Sequence, residues 1–261
     1  MLCDGDSWTA GDLIDPELGM DFSHVNHPDN DSYRLPKVWP HKLGKLLNIE
    51  VSNISEAGSS NDGIVRRVLK RIPELLNTYE PKDLFVIIGW SSPERKDFWY
   101  NGPPVLDEKS SYFRKQEYVS YWETMYPAEL EHGVLKFGKS PLADFYKLYF
   151  QYFWNEEEYM ERYIQHNLLI HHFLNSYGVE HIFFDAFYQT KEMGIYSEMD
   201  ENKLEQLEEI KNSNFINQTF REVLMDGKVL DKELFGEDFH PTEKGHEIWA
   251  NELYKKLKGK L

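Results

Sequence analysis

Cys3-Asp4-Gly5-Asp6-Ser7-Trp8-Thr9 is the stretch on which the reading of this chain turns. Met1-Leu2-Cys3 can supply only a brief strand, and the glycine after it lets the backbone leave in a conformation that a Cβ would resist. Ser7 then stands just past the carboxyl end of a strand. In an open α/β sheet ligands bind at that end, where loops and helix N-termini line a crevice. On its own, Gly-Asp-Ser reads as no more than a turn with a helix cap. Three other segments change that reading, because each supplies a part that a nucleophilic serine needs.

The last of them is Gly236-Glu237-Asp238-Phe239-His240-Pro241-Thr242, near the C-terminus. A serine hydroxyl is a weak nucleophile until a histidine within hydrogen-bond reach takes its proton, and that histidine needs a carboxylate to fix its tautomer. His240 is the candidate base, with Asp238 or Glu237 as its acid. Pro241 and Thr242 read as the start of the last helix, which puts His240 on a loop; His246, inside that helix, reads as structural. The other two segments, Glu56-Ala57-Gly58-Ser59-Ser60-Asn61-Asp62-Gly63 and Leu84-Phe85-Val86-Ile87-Ile88-Gly89-Trp90-Ser91-Ser92, each place a glycine turn after a strand.

Together, and in this order, the four segments resemble the sequence blocks of the SGNH, or GDSL-type, hydrolase superfamily of esterases, lipases, thioesterases and carbohydrate deacetylases. The resemblance matches Gly5-Asp6-Ser7 to the nucleophile block, Gly58 to the glycine whose backbone N–H joins that of Ser7 in an oxyanion hole, and His240 to the base. It implies no cofactor and no metal. The third block usually reads Gly-x-Asn-Asp, whereas here Ser91 stands where the asparagine would donate. Asn61 and Arg95 are the nearest polar substitutes. The acid commonly stands three before the histidine, which selects Glu237; a spacing of two selects Asp238, the preferred residue. Asp6, Trp8, Asn61, Trp90 and Arg95 flank these turns and are the expected substrate contacts.

Strands near residues 2, 51, 86 and 183 alternate with helical patterns, which calls for a three-layer α/β/α sandwich with a parallel, flavodoxin-like sheet. At 261 residues the chain is expected to form one domain, residues 1–261, elaborated by an insertion at about 93–150. That stretch is crowded with Phe98, Trp99, Tyr100, Tyr112, Phe113, Tyr118, Tyr121, Trp122 and Tyr126, which suit either a substrate-facing cap or packing against its own domain or a second copy in a homo-oligomer. Further expectations are a polar surface loop to about Pro36 with solvated His24 and His27, a helix from Trp39 through Leu47, and a strand over Ile49 to Ile54. A helix from Asn61 should stop or restart at Pro73. Asn155 with Glu158 should cap a helix that Gly178 ends, and the histidines His166, His171 and His172 on it read as solvated or hydrogen-bonded rather than ligands. Asp185, at the end of the strand over Val179 to Asp185, is a third candidate carboxylate. Glu198 to Glu209 reads as an exposed helix, and Trp249, Leu253 and Leu257 as the buried face of the last one.

Composition bounds the function. A formal charge of −16 disfavours nucleic acid and anionic membranes, whose affinity rests on Lys and Arg. No apolar run reaches the ~18 residues of a membrane helix, and the start has neither a basic nor an apolar segment, so a cytoplasmic protein is expected. The single Cys3 reads as a small buried hydrophobe. The expected activity is hydrolysis or transfer of a carbohydrate or small-molecule acyl ester through a Ser7 acyl-enzyme. The alternative is a binding or structural protein that keeps the fold and uses the aromatic insertion as a contact surface.

Overall fold

The computed structural model describes residues 1–18, 25, 27–102, 119–125, 127, 141–187, 201–225 and 231–259. Its strands are β1 (Leu2–Asp4), β2 (Ser52–Asn53), β3 (Phe85–Trp90), β4 (Lys96–Gly102), β5 (Val119–Met125), β6 (Glu180–Asp185) and β7 (Phe215–Ile216). Its helices are α1 (Ser7–Ala10), α2 (Pro28–Arg34), α3 (Trp39–Leu47), α4 (Asn61–Leu76), α5 (Pro141–Tyr152), α6 (Glu156–Tyr177), α7 (Glu201–Ser213), α8 (Phe220–Met225) and α9 (Glu243–Leu257).

Five strands form a parallel sheet in the order β2-β1-β3-β6-β7. The central strands are apolar on both faces because helices cover both, and their side chains alternate between two cores. Leu2, Val86, Ile88, Trp90 and Phe183 point to the side packed by α4, α6 and α7, against residues such as Ile64, Val68, Ile164 and Leu207. Cys3, Ile87, Ile182 and Phe184 point to the other side, against Trp39 and Leu43 of α3, Phe220 of α8 and Trp249 and Leu253 of α9. Each such fully buried side chain contributes ~1.5–3 kcal/mol. The expected three-layer α/β/α architecture is what forms. The chain leaves β1 toward β2 on one side and β3 toward β6 on the other, so the order reverses between β1 and β3, the place where an open parallel sheet offers a crevice at its carboxyl ends.

Several boundaries differ from expectation. The strand over Ile49 to Ile54 shrinks to Ser52–Asn53, because its partner β1 offers only three residues and pairs with β3 on its other side. Helix α4 continues through Pro73 to Leu76; the proline sacrifices one backbone hydrogen bond, while Leu75 and Leu76 still pack on the core. β7 carries no periodic signal and was not expected. Asn155 does cap α6, accepting from Glu158 N at 2.7 Å, and Gly178 ends it in the left-handed conformation. His27 Nδ1 caps α2, while His24 lies outside the described residues.

Within 93–150 the described residues build an antiparallel hairpin, β4 with β5, and α5. Phe98 meets Phe145 and Tyr149 edge-on at 4.9 Å each, and Met125, Leu142 and Tyr146 complete a small core of their own. Trp99 and Trp122 face each other across the hairpin at 5.2 Å and stay 55% and 46% exposed. Tyr112, Phe113, Tyr118 and Tyr126 lie outside the described residues. Among those described, no helix is long and apolar enough to cross a membrane.

Candidate active site

Ser7 is the first residue of α1 and sits directly beyond β1. Asp6 caps that helix, its Oδ1 accepting from Trp8 N at 3.0 Å. Gly5 is required by close approach rather than by its backbone angles: a Cβ there would lie 2.3 Å from Thr9 Oγ1 and 2.9 Å from Gly89 O. The helix ends at Gly11, whose φ of 79° turns the chain so that Asp12 follows directly below it. A side chain at Gly11 would also strike Val38, with its Cβ 2.1 Å from Cγ1.

The last loop presents the histidine. Gly236 N donates to His240 O, Phe239 N donates to Gly236 O, and His240 N donates to Asp238 Oδ1 at 3.2 Å. Phe239 adopts a left-handed φ of 63°, an uncommon conformation for a side chain of this size. The turn leaves Asp238 and His240 on one side and Phe239 exposed. His240 Nε2 lies 2.9 Å from Ser7 Oγ, across 233 residues of sequence. Its Nδ1 lies 3.2 Å from Asp238 Oδ2 and 3.3 Å from Asp12 Oδ2, at angles that make a straight hydrogen bond to neither. Glu237 is exposed and forms no ion pair with His240. Asp12 was not among the sequence candidates; an acid just past a glycine five residues from the serine was the signal that could have found it.

Behind this face, buried polar contacts tie the three turns together. Asp6 Oδ2 accepts from Ser91 Oγ at 2.8 Å and lies 3.5 Å from Arg95 Nη1. Ser91 N donates to Asn61 Oδ1 at 2.8 Å while Asn61 Nδ2 donates back to Ser91 O at 3.1 Å. Arg95 Nη1 also donates to Ser59 O. Arg67 binds Asp4 through two nitrogens, with Nη2 at 2.7 Å, and reaches Gly5 O, Ser59 Oγ and Glu56. Burial pushes the Asp4 carboxyl up to about 7 against the pull of Arg67.

These contacts correct several expectations. Ser91 gives its hydroxyl proton to Asp6, so it has none for an oxyanion. Asp6, Trp8, Asn61 and Trp90 are buried and brace the wall of the site instead of facing a ligand. Trp8 packs edge-on to Phe187 and Phe220, and Trp90 to Phe183 and Tyr163. Asp185 accepts from Tyr163 OH at 2.5 Å, away from His240. Of the helical histidines, His166 pairs with Asp62 and His171 with His181.

Gly58 is exposed with a φ of 76°. The backbone N–H groups of Ser7 and Gly58 have no acceptor among the described residues. A recess of about 480 Å³ lined by Asp231, Lys232, Phe235, Gly236, Glu237 and Phe239 adjoins the histidine loop. Asp12, Asp238 and His240 have ligand atoms within 4.8 Å of one another, close enough to touch a cation. Chemically the arrangement offers a hydroxyl, a base within reach of its proton and negative charge behind the base.

The chain is similar over its length to several solved structures of low identity. A member of the lipolytic protein G-D-S-L family from Veillonella parvula is 12% identical, covering 99% of this chain and 97% of that one, with a TM-score of 0.49. A psychrotrophic esterase, EstA, from Pseudoalteromonas sp. is 14% identical over 98% and 95%, at 0.46. A family two carbohydrate esterase from Clostridium thermocellum, in complex with cellohexaose, is 13% identical over 100% and 64%, at 0.48. No curated protein matches the sequence. The model of one family, described only as a family of unknown function (DUF6071), matches residues 20–259, and the chain belongs to that family.

Proposed function

We propose that the protein is a serine esterase that hydrolyses or transfers an acyl group through Ser7. The observation that carries this reading is the 2.9 Å contact between Ser7 Oγ and His240 Nε2, with carboxylates beside Nδ1. His240 takes the hydroxyl proton as Oγ attacks the ester carbonyl, and the resulting imidazolium is stabilised by the negative charge behind it. Collapse of the tetrahedral intermediate passes that proton to the leaving alcohol and leaves an acyl-serine. Water or an acceptor alcohol, deprotonated by the same imidazole, then attacks the acyl carbon and frees Ser7.

The developing oxyanion is assigned to the N–H groups of Ser7 and Gly58, which are unpaired within the described residues. Ser91 does not serve as a third donor among the described residues, since its hydroxyl is committed to Asp6, and one such donor is worth ~10²–10³ in rate. That observation favours a second reading in which the site binds an ester or a related ligand and turns it over slowly or not at all. With a net charge of −16, neutral or cationic substrates such as small acyl esters and acetylated sugars are favoured over polyanions. A panel of both kinds, assayed beside Ser7→Ala, tests the proposal: activity that disappears in the variant supports it, and activity that persists there refutes it.

A further inference from the structure

We propose that Asp12 is a second positioning residue for His240, so that the imidazole works between two carboxylates rather than in a simple triad. This rests on the reading of Ser7 and His240 as nucleophile and base. Nδ1 carries one proton, and Asp238 Oδ2 and Asp12 Oδ2 stand at nearly equal distances from it, 3.2 and 3.3 Å. Neither has the geometry of a hydrogen bond from Nδ1, so the two carboxylates face the ring as charges at almost the same distance, and neither is singled out as the partner.

The two acids are not equivalent. Asp238 is the more exposed, its side chain 34% accessible, and its Oδ1 is occupied by the backbone N–H of His240, so part of its work is to shape the loop. Asp12 is 14% accessible. A charge in a drier setting interacts more strongly with an imidazolium at the same distance. Burial raises the Asp12 carboxyl above its ordinary value, and His240 is the strongest opposing influence. Asp12 is also delivered by the element that carries the nucleophile: α1 starts at Ser7, and Gly11, with its positive φ, turns the chain into Asp12. Nucleophile and second acid are therefore carried by one short segment, whereas Asp238 is carried by the loop of the base.

The test compares Asp12→Asn, Asp238→Asn and the double variant, each checked for native melting. Loss of a lone triad aspartate costs ~10⁴ in kcat. With either acid able to hold the imidazole, each single variant should lose only ~10–10² in kcat with KM unchanged, and the double variant should approach the full ~10⁴ loss. The Nδ1–H proton resonance of His240, assigned by its disappearance in His240→Gln, should shift in both single variants. Chelator treatment should leave the rates unchanged. The inference is overturned if Asp12→Asn leaves kcat and the resonance as in the wild type while Asp238→Asn alone matches the double variant. It is equally overturned if activity is lost to the chelator and restored by a divalent metal. Should the wild type hydrolyse no ester, the esterase reading fails, and the resonance still decides whether Asp12 holds His240.

Discussion

Replacing Asp6 with asparagine should weaken the fold far more than a change of one atom suggests. The carboxylate is fully buried and has three partners: Trp8 N on Oδ1, and Ser91 Oγ and Arg95 Nη1 on Oδ2. Asparagine keeps the cap on α1 but loses the charge: its amide faces the Arg95 guanidinium donor to donor, and the Ser91 hydroxyl must turn round to accept a weaker, uncharged bond. Hydrogen bonds to a charged group contribute ~1.5–3 kcal/mol each, so one lost outright and one weakened come to ~2–4 kcal/mol. For a chain of this size that corresponds to a melting temperature lower by ~5–15 °C. Calorimetry at neutral pH reads this directly, and Asp6→Ala should fall a further ~1 kcal/mol through the lost cap. If Asp6→Asn melts within about 1 °C of the wild type, Asp6 does not join the β1 and β3 turns as argued.

Two other perturbations follow from buried contacts. Asn61→Asp keeps an acceptor for Ser91 N but sets an oxygen against Ser91 O, and it should cost ~2–4 kcal/mol by urea denaturation. Burial holds the His246 imidazole down to about 3, from an ordinary 6.5. The unfolded chain therefore takes up this proton first as pH falls, and stability present above about 6.5 is lost toward 3 at up to ~1.4 kcal/mol per pH unit. Urea midpoints measured at about pH 7.5 and about pH 5 should show a smaller difference in His246→Gln than in the wild type.

Much of the architecture was legible because its signals are local. The run Leu84 to Ile88 could only be a strand covered on both sides, and the spacing of Trp249, Leu253 and Leu257 fixed the buried face of α9. The pairing of Ser7 with His240 was legible because each stands in a short motif beside a turn, Ser7 just past β1 and His240 just ahead of α9. What was missed depends on contacts made across the fold. Asp12 lies in a polar loop with no periodicity, and only the turn at Gly11 brings it to His240. Trp8 and Trp90 flank the two turns in sequence, which suggests ligand contacts, and Ser91 stands at the position of the missing asparagine, which suggests an oxyanion donor. Alternation along β3 instead sends Trp90 into the core, and Asp6 captures Ser91. Two-residue strands such as β7 are too short for any pattern to show.

Activation of Ser7 by His240 is tested by one covalent label. The folded wild type treated with a fluorophosphonate should gain the mass of one adduct on Ser7, with none on Ser7→Ala and a much slower gain in His240→Gln. An adduct that persists in Ser7→Ala, or that never forms on the folded wild type, would show that Ser7 is not the nucleophile.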